Sequence, residues 1–104
     1  MNYAISLTIE AEHDLARLPS AVRRFCGVQL RLLGDAPTVL SKPSRFPYRE
    51  KCQMFQFGCL HANDRWELNA LFQYSQDETT LVIIGIRFSK LPRGAESGEG
   101  FPQI

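Results

Sequence analysis

The side chains of this chain best suited to act on a substrate are cations at the ends of apolar runs. Arg65 opens one such run and Arg87 closes another. If the two runs are antiparallel strands, the start of one lies beside the end of the other. The two guanidinium groups then become neighbours at one end of a sheet. His61, just before Arg65, and Lys90, just past Arg87, join them there. Such a cluster suits an anion, and in particular a phosphodiester. Cleaving RNA needs a base for the 2′-hydroxyl proton, cations on the pentacoordinate phosphate and a donor for the leaving oxygen. Arg65 and Arg87 fit the second role. His61 fits the first or the third, because an unperturbed imidazole titrates near neutrality. The plainer reading of the same residues is ordinary strand-end charge.

A net charge of +1 hides further basic clusters. Residues 15–34 hold Arg17, Arg23, Arg24 and Arg31 and no acid, and residues 42–51 hold Lys42, Arg45, Arg49 and Lys51 against Glu50 alone. Arg24, Arg31, Arg45, Arg49 and Lys51 are the candidate RNA-contacting residues, or else a solvated face. Other chemistries lack their residues. Gly34, Gly58 and Gly85 are isolated, so no phosphate-cradling loop exists, and no G-x-S-x-G nucleophile motif occurs. Glu10 and Glu12 fit a helix's first turn. Glu67, alone among apolar residues, reads as a solvated carboxylate or a buried acid. Cys26, Cys52 and Cys59 form no CxxC pair, and His13 and His61 lie far apart. Buried thiols, no metal and no cofactor are the expectation.

The elements that position these residues follow from periodicity. At 104 residues the chain is one domain. Its 44% apolar, 11% aromatic and 22% charged residues match a globular protein. No window approaches the roughly 18 apolar residues of a membrane span, and no signal peptide is visible. The expected location is the cytoplasm, away from membranes. Residues 2–8 alternate as a strand. Thr8 before Glu10 and Glu12 starts a helix that Pro19 ends near Leu18. Ser20 caps a second helix over 20–33, with Gly34 at its end. Val22, Phe25, Cys26, Val28, Leu30, Leu32 and Leu33 form its broad apolar arc. A helical turn near Val39 follows, then strands over 52–60, 65–74 and 80–88, with a turn at Ala62-Asn63-Asp64. The last strand is apolar on both faces and should be central, with the first strand beside it. From Leu91 on, a tail poor in apolar groups is expected to be flexible. The fold class is α+β: a helical hairpin on one face of a small, mostly antiparallel sheet, in the order β-α-α-β-β-β.

Several stretches are similar to a known family. Tyr3-Ala-Ile-Ser-Leu-Thr8, then Glu10-Ala-Glu-His-Asp-Leu-Ala-Arg-Leu-Pro19, resembles the first strand and helix of the RelE/ParE superfamily of bacterial type II toxins. Val22-Arg23 looks like the start of the family's second helix. Phe72-Gln-Tyr74, the Asp77-Glu78 turn and Leu81 to Arg87 resemble its closing hairpin. The likeness covers about residues 2–90 and implies one toxin domain over 1–90, with 91–104 as tail. It implies a toxin neutralised by a cognate antitoxin. RelE-like members are mRNA interferases: they cut mRNA on the ribosome and so inhibit translation. ParE-like members bind DNA gyrase without chemistry, and a non-toxic member would serve as a protein-binding module. By resemblance, Arg65 and Arg87 match two of the endoribonuclease's arginines. The family's strand lysines find Gln53, Met54 and Gln56 here, the group before the last arginine is Ile86, and the late aromatics are Phe88 and Phe101.

Overall fold

Alternation of apolar and polar residues builds a five-stranded sheet in the order β1-β5-β4-β3-β2. The computed structural model describes residues 2–44, 51–92 and 100–104. The strands are β1 (Ala4–Leu7), β2 (Lys42–Pro43), β3 (Gln53–His61), β4 (Asp64–Tyr74) and β5 (Thr80–Pro92). The helices are α1 (Ile9–Ala16), α2 (Ser20–Asp35) and the single turn α3 (Pro37–Leu40). β2, β3, β4 and β5 are antiparallel neighbours, and β1 lies parallel beside β5. The expected α+β class and the place of β1 both hold.

One face of the sheet carries the core. Phe55, Cys59, Trp66, Leu68, Ala70, Phe72, Leu81, Ile83 and Ile86 pack there with Ala11, Leu18, Val22, Cys26, Leu30 and Leu33 of the helical layer. Thr8 caps α1 as expected, its Oγ accepting from the Ala11 N–H at 3.2 Å. Ser20 does not cap α2. Pro19 is the N-cap residue, and its carbonyl accepts the Arg23 N–H at 2.9 Å. Gly34 does not end α2 either. It lies inside the last turn, where a Cβ would stand 2.7 Å from the Tyr3 carbonyl oxygen. Its bareness lets β1 cross the helix, with the Tyr3 N–H donating to the Gly34 carbonyl at 2.9 Å. The buried arc of α2 is narrower than its sequence implies. Val28 and Leu32 are 45% and 49% exposed, because the sheet takes only the stripe from Val22 to Leu33.

All three cysteines are buried and free. Burial and the neighbouring Cys59 push the Cys26 thiol up to about 12, and burial raises Cys59 as well. Both are held as protonated, unreactive thiols at neutral pH.

β5 is central only in its first part. β1 pairs with Thr80 to Ile83 and stops. Beyond it, α1 covers the strand edge. Thr8 donates its N–H to the Ile83 carbonyl at 3.0 Å, and Asp14 Oδ2 accepts the Ile86 N–H at 2.9 Å. The sequence also places a flexible tail from Leu91. In the structure β5 runs on through Pro92, and the chain end returns to β3. The Leu60 N–H donates to the Pro102 carbonyl at 2.8 Å, and the Ile104 N–H to the Leu60 carbonyl at 2.9 Å. Residues 93–99 lie outside the described residues.

Candidate functional site

The face of the sheet turned away from the helices holds an open groove of about 630 Å³. Gln56, Glu67, Asn69, Arg87, Ser89 and Phe101 line it. Register explains the grouping. Gln56, Asn69 and Arg87 form one row across β3, β4 and β5, and Gly58, Glu67 and Ser89 form the next. Side chains directly opposite one another on a sheet face are in contact range.

Arg87 reaches this face because of a bulge. Leu71 pairs with Gly85 but Phe72 pairs with Ile83, so Ile84 has no opposite residue. Before the bulge the odd residues Leu81 and Ile83 face the core, and after it the even residue Ile86 does. The extra residue therefore turns Arg87 and Ser89 outward. Unbroken alternation from Leu81 would have aimed Arg87 at the helices. The Arg87 side chain is 46% exposed, and its Nη1 lies 3.8 Å from Asp14 Oδ2. Asp14 thus fixes both the backbone and the head group of the strand at this point.

Arg65 lies on the same face but not beside Arg87. Its cross-strand partner is Leu91, and Arg87 stands opposite Asn69. Four steps along β4, from Arg65 to Asn69, separate the two, about 13 Å along the strand. The juxtaposition expected from strand ends fails because β5 continues past Arg87 to Pro92. Arg65 pairs instead with Glu67, and its guanidinium carbon is 5.8 Å from the centre of the Phe101 ring. Glu67 is thus an ion-paired, partly exposed carboxylate.

His61 and Lys90 do not join the arginines either. By alternation both belong to the core-side face, at the far end of the sheet. His61 pairs with Asp64 across the hairpin, and its Nδ1 is buried with no hydrogen-bond partner among the described residues. Lys90 Nζ lies 4.0 Å from Asp64 Oδ2 and 6.0 Å from the centre of the Trp66 ring. Arg24 and Arg31 are exposed on α2, across the sheet from the groove, and Lys51 is exposed just before β3. Arg45 and Arg49 lie outside the described residues.

Three further residues of the groove carry chemistry, and Asp14 of α1 stands behind Arg87 at the edge of β5. Asn69 Oδ1 is buried and has no hydrogen-bond partner among the described residues. Gln56 is exposed beside it in the row. Phe101 sits over Gly58, where a Cβ would overlap its ring and stand 2.6 Å from the Trp66 carbonyl oxygen. Asp14 carries no sequence mark at all. Gln56 and Asn69 do leave one: they are the amides at outward positions of otherwise apolar strands. The groove offers a half-exposed guanidinium, two amides and an aromatic ring. That set suits a phosphate joined to a flat polar ring.

A chain of the toxin–antitoxin complex RelBE2 from Mycobacterium tuberculosis has this fold. The match has a TM-score of 0.64 at 20% sequence identity and covers 86% of this chain and 100% of that one. The likeness shows that the architecture is RelE-like. No protein-family model matches the sequence, and no curated protein does. None of the described helices is long and apolar enough to cross a membrane.

Proposed function

We propose that the protein is the toxin of a type II toxin–antitoxin pair and acts as a RelE-like, ribosome-dependent mRNA endonuclease in the cytoplasm. The observation that carries this reading is Arg87, turned into an open polar groove on a RelE-like sheet. Arg87 holds the scissile phosphate and stabilises the charge that builds as the 2′-oxygen attacks phosphorus and the 5′-oxygen departs. Arg65 holds a phosphate further along the strand. Glu67, the carboxylate of the groove, takes the 2′-hydroxyl proton, and water in the open groove protonates the departing 5′-oxygen. His61, Lys90 and Lys51 meet RNA at the ends of the sheet. Arg24 and Arg31, on the other side, meet ribosomal RNA by phosphate contact. The antitoxin covers the exposed apolar residues Val28, Leu32, Val39 and Leu40.

A second reading is a ParE-like toxin that binds DNA gyrase without chemistry. One observation favours it: among the described residues, no His or Tyr lines the groove to move a proton. Primer extension on an mRNA in a purified translation system separates the two. We expect cuts that require ribosomes and that fall about 100-fold in Arg87→Ala, with a smaller loss in Arg65→Ala. Wild-type protein that cuts nothing with ribosomes present overturns the nuclease. Inhibition of gyrase supercoiling by the same sample then identifies the second reading.

A further inference from the structure

Asn69, Gln56 and Phe101 are not needed to hold a phosphate, yet they share the groove with Arg87. Asn69 sits directly between Gln56 and Arg87 in the register. Its Oδ1 is buried without a hydrogen-bond partner among the described residues. An acceptor left in that state is costly unless a ligand supplies a donor. A primary amide offers an acceptor and a donor side by side. That pair matches the N6–H and N7 edge of adenine, whereas the similar N4–H and N3 pair of cytosine sits on a smaller ring that covers less of Phe101. Phe101 provides the apolar aromatic wall against which an unstacked base can lie. Its position is secured from two sides. Gly58 leaves room for the ring, and the backbone bonds between Leu60 and residues 102–104 anchor the segment behind it.

We propose that the groove is a base-reading subsite: it takes one unstacked adenine, wedged against Phe101 and hydrogen-bonded by Asn69 with Gln56, while Arg87 holds the adjoining phosphate. The proposal rests on the nuclease reading for its natural substrate and adds to it the identity of the base beside the cut. Recognition of this kind is typical of single-stranded RNA, whose bases are free to splay out. It also gives the chain end a role, because residues 101–104 close the groove at the β3 side.

The test uses the full chain labelled with ¹⁵N and ¹³C, titrated in turn with AMP, GMP, CMP, UMP and ribose 5-phosphate. AMP is expected to shift the side-chain amide signals of Asn69 and Gln56 and the ring protons of Phe101. Ribose 5-phosphate is expected to move only the Arg87 side chain. Equal responses to AMP and ribose 5-phosphate, an equal response to GMP or to the pyrimidine nucleotides, or no response at all overturns the subsite. A parallel arm maps cleavage sites. Asn69→Ala should reduce the preference for adenine beside the cut about tenfold. Arg87-dependent cutting with an unaltered base preference leaves the nuclease standing and removes the subsite. Adenine-selective shifts in a protein that never cuts RNA do the reverse.

Discussion

The two faces of one sheet have opposite characters although the same strands make both. Leu68 and Asn69 are adjacent in β4, yet Leu68 is buried against the helical layer and Asn69 lines the open groove. The helix-covered face is closed by large apolar side chains and tolerates no vacancy. The opposite face keeps a second, smaller apolar cluster of Cys52, Met54 and Leu71, with Ile84 against it. Beyond that cluster it turns polar and open. The difference separates the side chains that seal the core from those left on an open polar face, although the two sets are neighbours in the chain.

The largest expected effect lies on the closed face. Phe72 is fully buried, and Phe72→Ala should cost about 3–5 kcal/mol in urea unfolding. Asn69→Ala removes a buried oxygen that has no partner among the described residues, so it should leave stability unchanged or raise it by up to about 1 kcal/mol, and similar losses for the two would break the contrast between the faces. Arg87→Ala sharpens the contrast from the other side. It removes a partly exposed ion pair with Asp14, so it should change stability by less than about 1 kcal/mol while abolishing most of the proposed RNA cleavage. Gly58→Ala tests whether Phe101 is held by close approach. The added methyl should cost about 1–3 kcal/mol, and part of that cost should vanish in a Phe101→Ala background, as a double-mutant cycle would show.

Smaller effects belong to the turns, where neither face is involved. Ala62 sits at φ 55° in the β3–β4 turn. Ala62→Gly should raise stability by about 1 kcal/mol, and a loss would mean that the turn is held in some other way. In the β4–β5 turn, hydrogen bonds from Ser75 and Thr79 hold the Asp77 carboxyl below its ordinary range. A lowered carboxyl stabilises the fold while ionised. Its contribution is present at neutral pH and disappears as the pH falls through its lowered value. Asp77→Asn should therefore narrow the stability gap between neutral and acidic pH. An unchanged gap would show that the turn contributes nothing to it.

Much of the scaffold was legible from periodicity. Thr8 before two acids marked α1, Pro19 separated the helices, and alternating runs marked β3 and β4. The errors have local causes. Val28 and Leu32 read as buried because helical periodicity counts apolar residues without knowing which stripe finds a partner. Arg65 and Arg87 read as neighbours because the apolar run stops at Phe88, whereas β5 continues to Pro92. Ser89 and Lys90 fall just past the strand read over 80–88, and Leu91 opens the expected tail, but pairing with Glu67, Trp66 and Arg65 keeps all three in β5. Asp14 was invisible because its partners, Ile86 and Arg87, lie more than seventy positions away.

By itself, the sequence determined most of the helix and strand segments and the apolar stock from which the core is drawn, because both follow from local spacing and apolar pattern. It also determined that the chain carries a few cations, and neither a metal motif nor a phosphate loop, as the material for a site. Only the tertiary structure decided where those cations stand. One unpaired residue, Ile84, reverses the sense of alternation and sends Arg87 into the groove. The register of β4 on β5 then separates it from Arg65, and the returning chain end sets Phe101 over Gly58. These outcomes depend on pairing between strands and on contacts between distant segments. A one-residue change in register exchanges the two faces of a strand while leaving its local sequence unchanged.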